Sequence, residues 1–395
     1  MLYKDHIYLF KHIIKWMVIS SSIGVVGSLS AIIITKLIEI FSLAPHYVFS
    51  IPFAMAFAGY VVDKYGDLKG SGVDRTLRAF NEKISLNPFI GFLKIVLSGI
   101  IIGLGGSAGK VGPSIQASAS FADFLYRIFK LKNRKALLIS GIAGGLSGDL
   151  CAPFGSAIFA AEIVRREGFE YISCFPAILS SIFGYMVYLT IYGKIKLFDI
   201  PCHYNFSPMD FPYIFICAIF CAFIAYIYIH SYISIRNFFD NLKYPQYIKS
   251  FMGGIIVALI GYYIPQSLGL GVGITENIML LKYGIISLSL ILFGKIYTTS
   301  FTVGTGTPGG LVLPSVFIGA CSGALFGMLL GFHNVLPFIV VGIATLLSSM
   351  ANVPLASIVL CVEIFGFNYS IPAAVGALMG FQLVRWKTIY EHITF

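Results

Sequence analysis

The chain has 395 residues, of which 57% are hydrophobic and 11% charged, with a formal net charge of +10. A soluble domain carries about 25% charged residues, so this composition excludes an ordinary globular fold. The positive charge does not point to nucleic acid, because the basic residues sit in short segments between long apolar runs. Lys4, Lys11 and Lys15 come before the first run; Lys130, Lys132, Arg134 and Lys135, then Arg165 and Arg166, then Arg385 and Lys387 lie between or after later ones. That is the positive-inside bias of a polytopic membrane protein, and it also suits an electrostatic funnel for an anion.

In chain order, Lys4 to Lys15 reads as an interfacial helix and Trp16 to Phe41 as the first span, with a second over Tyr47 to Val62. Asp63 to Gly72 is polar and glycine-rich, and a short helix follows from Val73 to Asn81. Pro88 to Leu104 fills another apolar helix and runs into Gly105-Gly106-Ser107-Ala108-Gly109-Lys110-Val111-Gly112-Pro113-Ser114. Four glycines and a proline after an apolar run mark a helix broken inside the membrane and restarted at Pro113. A helix to Lys130, a basic turn at Leu131 to Lys135, and two short helices over Ala136 to Val164, broken near Ala152-Pro153, come next. Ile172 to Ile191 spans again, and Tyr192 to Met209 is the longest polar loop. Phe211 to Ile229, Gly253 to Ile264 and Phe338 to Leu347 are the clearest apolar runs of the second part. Several runs reach the ~20 residues needed to cross a bilayer, while others are cut short by Gly and Pro. With so many spans, no short cleavable signal is needed.

The chain repeats itself. Gly109-Lys110-Val111-Gly112-Pro113-Ser114 returns 201 positions later as Gly310-Leu311-Val312-Leu313-Pro314-Ser315. At the same shift Gly141-Ile142-Ala143 pairs with Gly342-Ile343-Ala344, Pro153 with Pro354, and Glu162-Ile163 with Glu363-Ile364. At a shift of 199, Gly70-Ser71-Gly72-Val73 pairs with Gly269-Leu270-Gly271-Val272. The expected organisation is one membrane domain over residues 1–395, with one half at about 16–192 and the other at about 211–392. Gly- and Pro-interrupted segments in matching places of two halves point to a substrate site at the repeat interface. Each restarted helix offers unpaired amides and the positive end of its dipole, an anion site that needs no Lys or Arg.

Other chemistries find little support. The cysteines at 151, 174, 202, 217, 221, 321 and 361 form no CxxC pair and no metal-ligand spacing. His6, His12, His46, His203, His230, His333 and His392 are dispersed, with no HExxH and no Ser/His/Asp arrangement. No enzyme, metal site or cofactor is expected. A receptor that binds an anion without conducting it is the remaining non-transport reading.

Four motifs in order resemble those of the CLC chloride channels and proton-coupled chloride transporters, over about residues 16 to 392. Gly70-Ser71-Gly72-Val73 is similar to the signature GSGIP, Gly109 to Pro113 to GREGP or GKEGP, and Gly310 to Pro314 to GxFxP. Lys387-Thr388-Ile389-Tyr390 resembles the segment whose tyrosine closes the inner side of the central anion site. The resemblance implies an all-α polytopic membrane protein of tilted and broken helices in two inverted repeats. It implies a homodimer with one pore per subunit in the cell membrane, both termini cytoplasmic, and no cytoplasmic CBS domain. Chloride would be the transported ligand, held centrally by the hydroxyls of Ser71 and Tyr390 and the amides of Leu311 and Val312. An outer site would use the backbone at Gly109, Lys110, Val111 and Gly112. Ala152-Pro153 to Glu162 and Val353-Pro354 to Glu363 match helices near the dimer interface.

The departures from the family pattern bear on mechanism. The gating glutamate of the second signature is Val111, and the inner proton-handling glutamate is Ile163, next to Glu162. Neither Val nor Ile binds a proton, so the expected function is passive, proton-uncoupled transport of chloride or a similar small anion. A proton-coupled antiporter would need another relay, for which Glu162, Glu363 and Asp149 are candidates. Asp149 is read as part of a Ser147-Gly148-Asp149 break, and Glu162 and Glu363 as structural groups, capping or hydrogen-bonding in the dimer region. A fluoride exchanger is disfavoured, because that branch resembles Asn in place of Ser71 and lacks the tyrosine at Tyr390. The signature proline is Asp74, expected to point away toward loop solvent, and the signature Phe is Val312, which with Val111 leaves an apolar outer neck.

Overall fold

The computed structural model describes residues 2–43, 47–166, 168–193, 196–200 and 204–390; His46, Cys202, His203 and His392 lie outside them. Sixteen α-helices form among the described residues. Those of the first half are α1 (Leu2–Ser42), α2 (Tyr47–Lys64), α3 (Val73–Glu82), α4 (Pro88–Gly103), α5 (Val111–Ile128), α6 (Arg134–Leu150), α7 (Pro153–Glu162) and α8 (Cys174–Tyr192). The second half contributes α9 (Phe211–Asn241), α10 (Gln246–Tyr263), α11 (Val272–Met279), α12 (Ile285–Gly304), α13 (Val312–Leu329), α14 (Leu336–Ala351), α15 (Pro354–Phe365) and α16 (Ser370–Val384).

The two sets of eight match in order, and the match extends to packing. Helix α5 lies on α6 as α13 lies on α14, and α6 packs on α8 as α14 packs on α16. The halves meet where α2 packs on α10 and α7 on α15. Among the described residues six segments are long and apolar enough to cross a membrane, including Ile13–Ser42, Pro208–Asn241 and Val312–Leu329.

Local chemistry accounts for the breaks. Asn87 caps α4 by accepting the Phe89 amide at 3.0 Å, with Pro88 in the first helical position. Helix α6 ends at Cys151 and α14 at Asn352, both in the left-handed region, and Pro153 and Pro354 then open the next helices. Two expectations are corrected here. The aromatic and basic N-terminal stretch is not separate from the first span, because both belong to the 41-residue α1. Asp149 does not sit in a break: it occupies the last turn of α6, and the chain turns only at Cys151.

Candidate functional site

Three interrupted stretches meet between the halves. Gly109 and Gly310 form a two-residue antiparallel bridge: the Gly109 amide donates to the Gly310 carbonyl at 2.7 Å, and the reverse bond is 2.6 Å. The stretch before α3 joins them, with the Gly70 amide on the Gly306 carbonyl at 3.2 Å and the Gly309 amide on the Gly70 carbonyl at 3.4 Å. Only glycine fits the junction. A Cβ on Gly112 would lie 2.1 Å from the Ser71 carbonyl oxygen and 3.0 Å from the Gly310 Cα. Gly72, at φ +89°, takes a conformation that L side chains rarely adopt.

This junction leaves two helix starts with free donors. The first intrahelical bonds run from the Ser114 amide to the Lys110 carbonyl in α5 and from the Ser315 amide to the Leu311 carbonyl in α13. The amides ahead of them are the orphan donors of each helix start. Val111, Gly112, Leu311 and Val312 are fully buried or nearly so, so those donors lie away from bulk water. No carboxylate stands at position 111, and the Val111 side chain is wholly buried.

Ser71, also wholly buried, donates its hydroxyl to the Asp74 Oδ2 at 2.9 Å. This corrects the expectation that Asp74 faces loop solvent. The left-handed turn at Gly72 starts α3 so that the Asp74 side chain folds back over the serine. Tyr390 is 1% exposed, and its hydroxyl has no hydrogen-bond partner among the described residues. Asp74, bonded to Ser71, lies within electrostatic range of Tyr390. The tyrosine's segment is pinned by the Ile389 amide on the Met350 carbonyl at 3.0 Å, at the end of α14. A cleft of about 280 Å³ has Gly70, Asp74 and Tyr232 in its wall. Its charged lining is mixed: Lys69 pairs with Asp240 at 2.5 Å and Arg75 with Asp67 at 2.8 Å, beside Arg78 and Arg236.

The remaining candidates are engaged elsewhere. The Lys110 side chain leaves the junction for α1, α6 and α8: its Nζ lies 3.1 Å from the Asp149 Oδ1, donates to the Thr35 Oγ1 at 2.9 Å and sits 5.6 Å from the Tyr188 ring centroid. Its partner Asp149 is 1% exposed. The Glu162 carboxylate accepts the Leu355 and Ala356 amides at 3.0 and 2.8 Å, at the start of α15. Glu363 does the same for α7, accepting the Phe154 and Gly155 amides at 3.0 and 2.6 Å. Each half thus caps a helix of the other through its own glutamate. Ile163 follows Glu162 at the end of α7 and is wholly buried.

Two buried lysines escaped the sequence reading. Lys94 in α4 donates to the Leu68 carbonyl at 3.0 Å, and Lys295 in α12 donates to the Gly269 carbonyl at 2.8 Å. They stand 201 positions apart, each satisfying a carbonyl of the polar break in its half. The signal was present as a Lys inside an otherwise apolar helix at the repeat spacing.

Helices broken and rejoined between two matched halves define a multi-pass membrane fold whose irregular backbone is tolerated because it is buried in protein. The family model for voltage-gated chloride channels matches residues 54–385, and the chain belongs to this CLC family. It is 49% identical over 383 residues to an uncharacterized protein of Methanocaldococcus jannaschii, covering 97% of this chain and 96% of that one. It is 27% identical over 372 residues to the H(+)/Cl(-) exchange transporter ClcA of Vibrio campbellii, covering 86% of this chain and 77% of the relative. Among solved structures, a CLC-type fluoride/proton antiporter superposes with a TM-score of 0.85 at 20% identity, over 96% of both chains. A slow cyanobacterial Cl-/H+ antiporter superposes at 0.84 and 18% identity, again over 96% of both.

Proposed function

We propose that the chain is a passive, proton-uncoupled pathway for chloride and similar small anions across the cell membrane, working as a homodimer with one pathway per subunit. The observation that carries this reading is Val111: the helix start built to receive an anion has an apolar, buried side chain where a competing carboxylate would stand. In this reading the central anion is bound by Ser71, Tyr390 and the amides of Leu311 and Val312, and the outer site uses the amides around Lys110 to Gly112. The substitute relays are engaged: Glu162 and Glu363 on backbone amides, Asp149 beside Lys110. Burying an ionisable group is costly, and a relay needs one free to gain and lose its proton.

A second reading, proton-coupled exchange, is favoured by the named activity of the Vibrio relative. Chloride efflux from liposomes, with external pH recorded, separates the two. Uncoupled transport releases chloride only when a potassium ionophore relieves the charge, with no proton movement. Efflux that takes up protons at a fixed ratio contradicts it.

A further inference from the structure

We infer that Asp74 is an inner gate on the anion locus: its carboxylate competes with the incoming anion for the Ser71 hydroxyl, and protonation or removal of that charge opens the site. The inference rests on the preceding reading of Ser71 and Tyr390 as anion ligands and adds a regulatory group to it.

A serine hydroxyl has one hydrogen to donate. In this structure it goes to the Asp74 Oδ2 at 2.9 Å, which is where an anion taken up by the serine would accept it. The carboxylate is half-buried and lines the 280 Å³ cleft, while Ser71 behind it is wholly buried. Asp74 therefore stands between a solvent-reaching cleft and Ser71, within electrostatic range of Tyr390, whose buried hydroxyl has no partner among the described residues. Sitting in the first turn of α3, the charged form is favoured by the helix dipole. A second anion brought against it in a poorly solvated site meets strong repulsion.

Of the acidic groups lining the cleft, Asp74 is the one that accepts the Ser71 hydroxyl. Asp67 is held by Arg75 and Asp240 by Lys69. Within electrostatic range of Asp74 are Lys94 from α4, Tyr232 from α9 and Tyr390 from the C-terminal segment, and Arg75, next to it on α3, shares the cleft wall. Arg78 and Arg236 complete the cleft wall. Cations outnumber carboxylates there, so the cleft attracts anions up to the one carboxylate bonded to the serine. Protonated, Asp74 loses its charge and its hold on the hydroxyl weakens, because hydrogen bonds to ionised acceptors are about twice as strong as neutral ones.

The test is chloride binding to the purified full-length protein by calorimetry at about pH 7.5 and about pH 3.5, on either side of the ordinary aspartate value of about 3.9. The wild type is expected to bind about tenfold more tightly at the lower pH. Asp74→Asn removes the charge and Asp74→Ala removes the acceptor as well; both are expected to show the tighter affinity already at pH 7.5 and to lose the pH dependence. Variants that bind like the wild type, with its pH profile intact, overturn the gate and leave the anion locus standing. Absence of chloride binding in wild type and both variants at either pH overturns the anion locus and the gate together. Proton-coupled flux with the Asp74-dependent binding profile contradicts only the uncoupled reading and keeps the gate.

Discussion

At the scale of single residues, what matters is which carboxylates can reach an anion and which are held. Val111 offers no acid at the start of α5, where the orphan amides would welcome one. Val111→Glu places a carboxylate against those donors, and it is expected to cut chloride flux at least tenfold at neutral pH and to recover on acidification; efflux rates at two pH values read this directly. Flux unchanged at neutral pH would place the anion path away from α5. The Lys110–Asp149 pair makes a different demand. Both partners are almost fully buried, so removing one strands the other. Lys110→Met is expected to cost about 3–5 kcal/mol, while the double variant Lys110→Met/Asp149→Leu is close to neutral. Thermal unfolding in detergent measures both, and an equally unstable double variant would mean that the pair serves something other than its own neutralisation.

At the scale of helices, the glutamate caps tie the two halves together. Glu162 reaches the start of α15 and Glu363 the start of α7, each across the repeat boundary. Glu162→Gln keeps one acceptor and loses the charge, so about 1–3 kcal/mol of stability is expected to go, with the ion stoichiometry of transport unchanged. A variant that folds normally but loses proton movement would assign Glu162 to a relay. The element scale is also where the sequence was most legible. Glycine and proline at fixed places are required for a buried break, so Gly109 and Pro113 and their echoes 201 positions later, Gly310 and Pro314, announce α5 and α13 directly. The turn of Asp74 toward Ser71 could not be read, because it follows from the φ of Gly72 and from α3 meeting α5. Nor could the Lys110–Asp149 pair, whose members belong to different helices and meet only when α5 packs on α6. Lys94 and Lys295 were readable in principle, each disguised by the apolar run around it.

At the scale of the molecule, the internal repeat is what makes a site. Neither half alone brings two helix starts to one place; the Gly109–Gly310 bridge joins one from each. The Vibrio relative is named an H(+)/Cl(-) exchange transporter, so the question this chain poses is whether its own frame, with Val111 and Ile163, moves protons. The most direct measurement is the reversal potential of reconstituted protein under a fixed chloride gradient, with and without a pH gradient. Uncoupled conduction is expected to reverse at the chloride equilibrium potential and to stay there when the pH gradient is imposed. A reversal potential that moves with the pH gradient would show that protons share the pathway and would contradict the account.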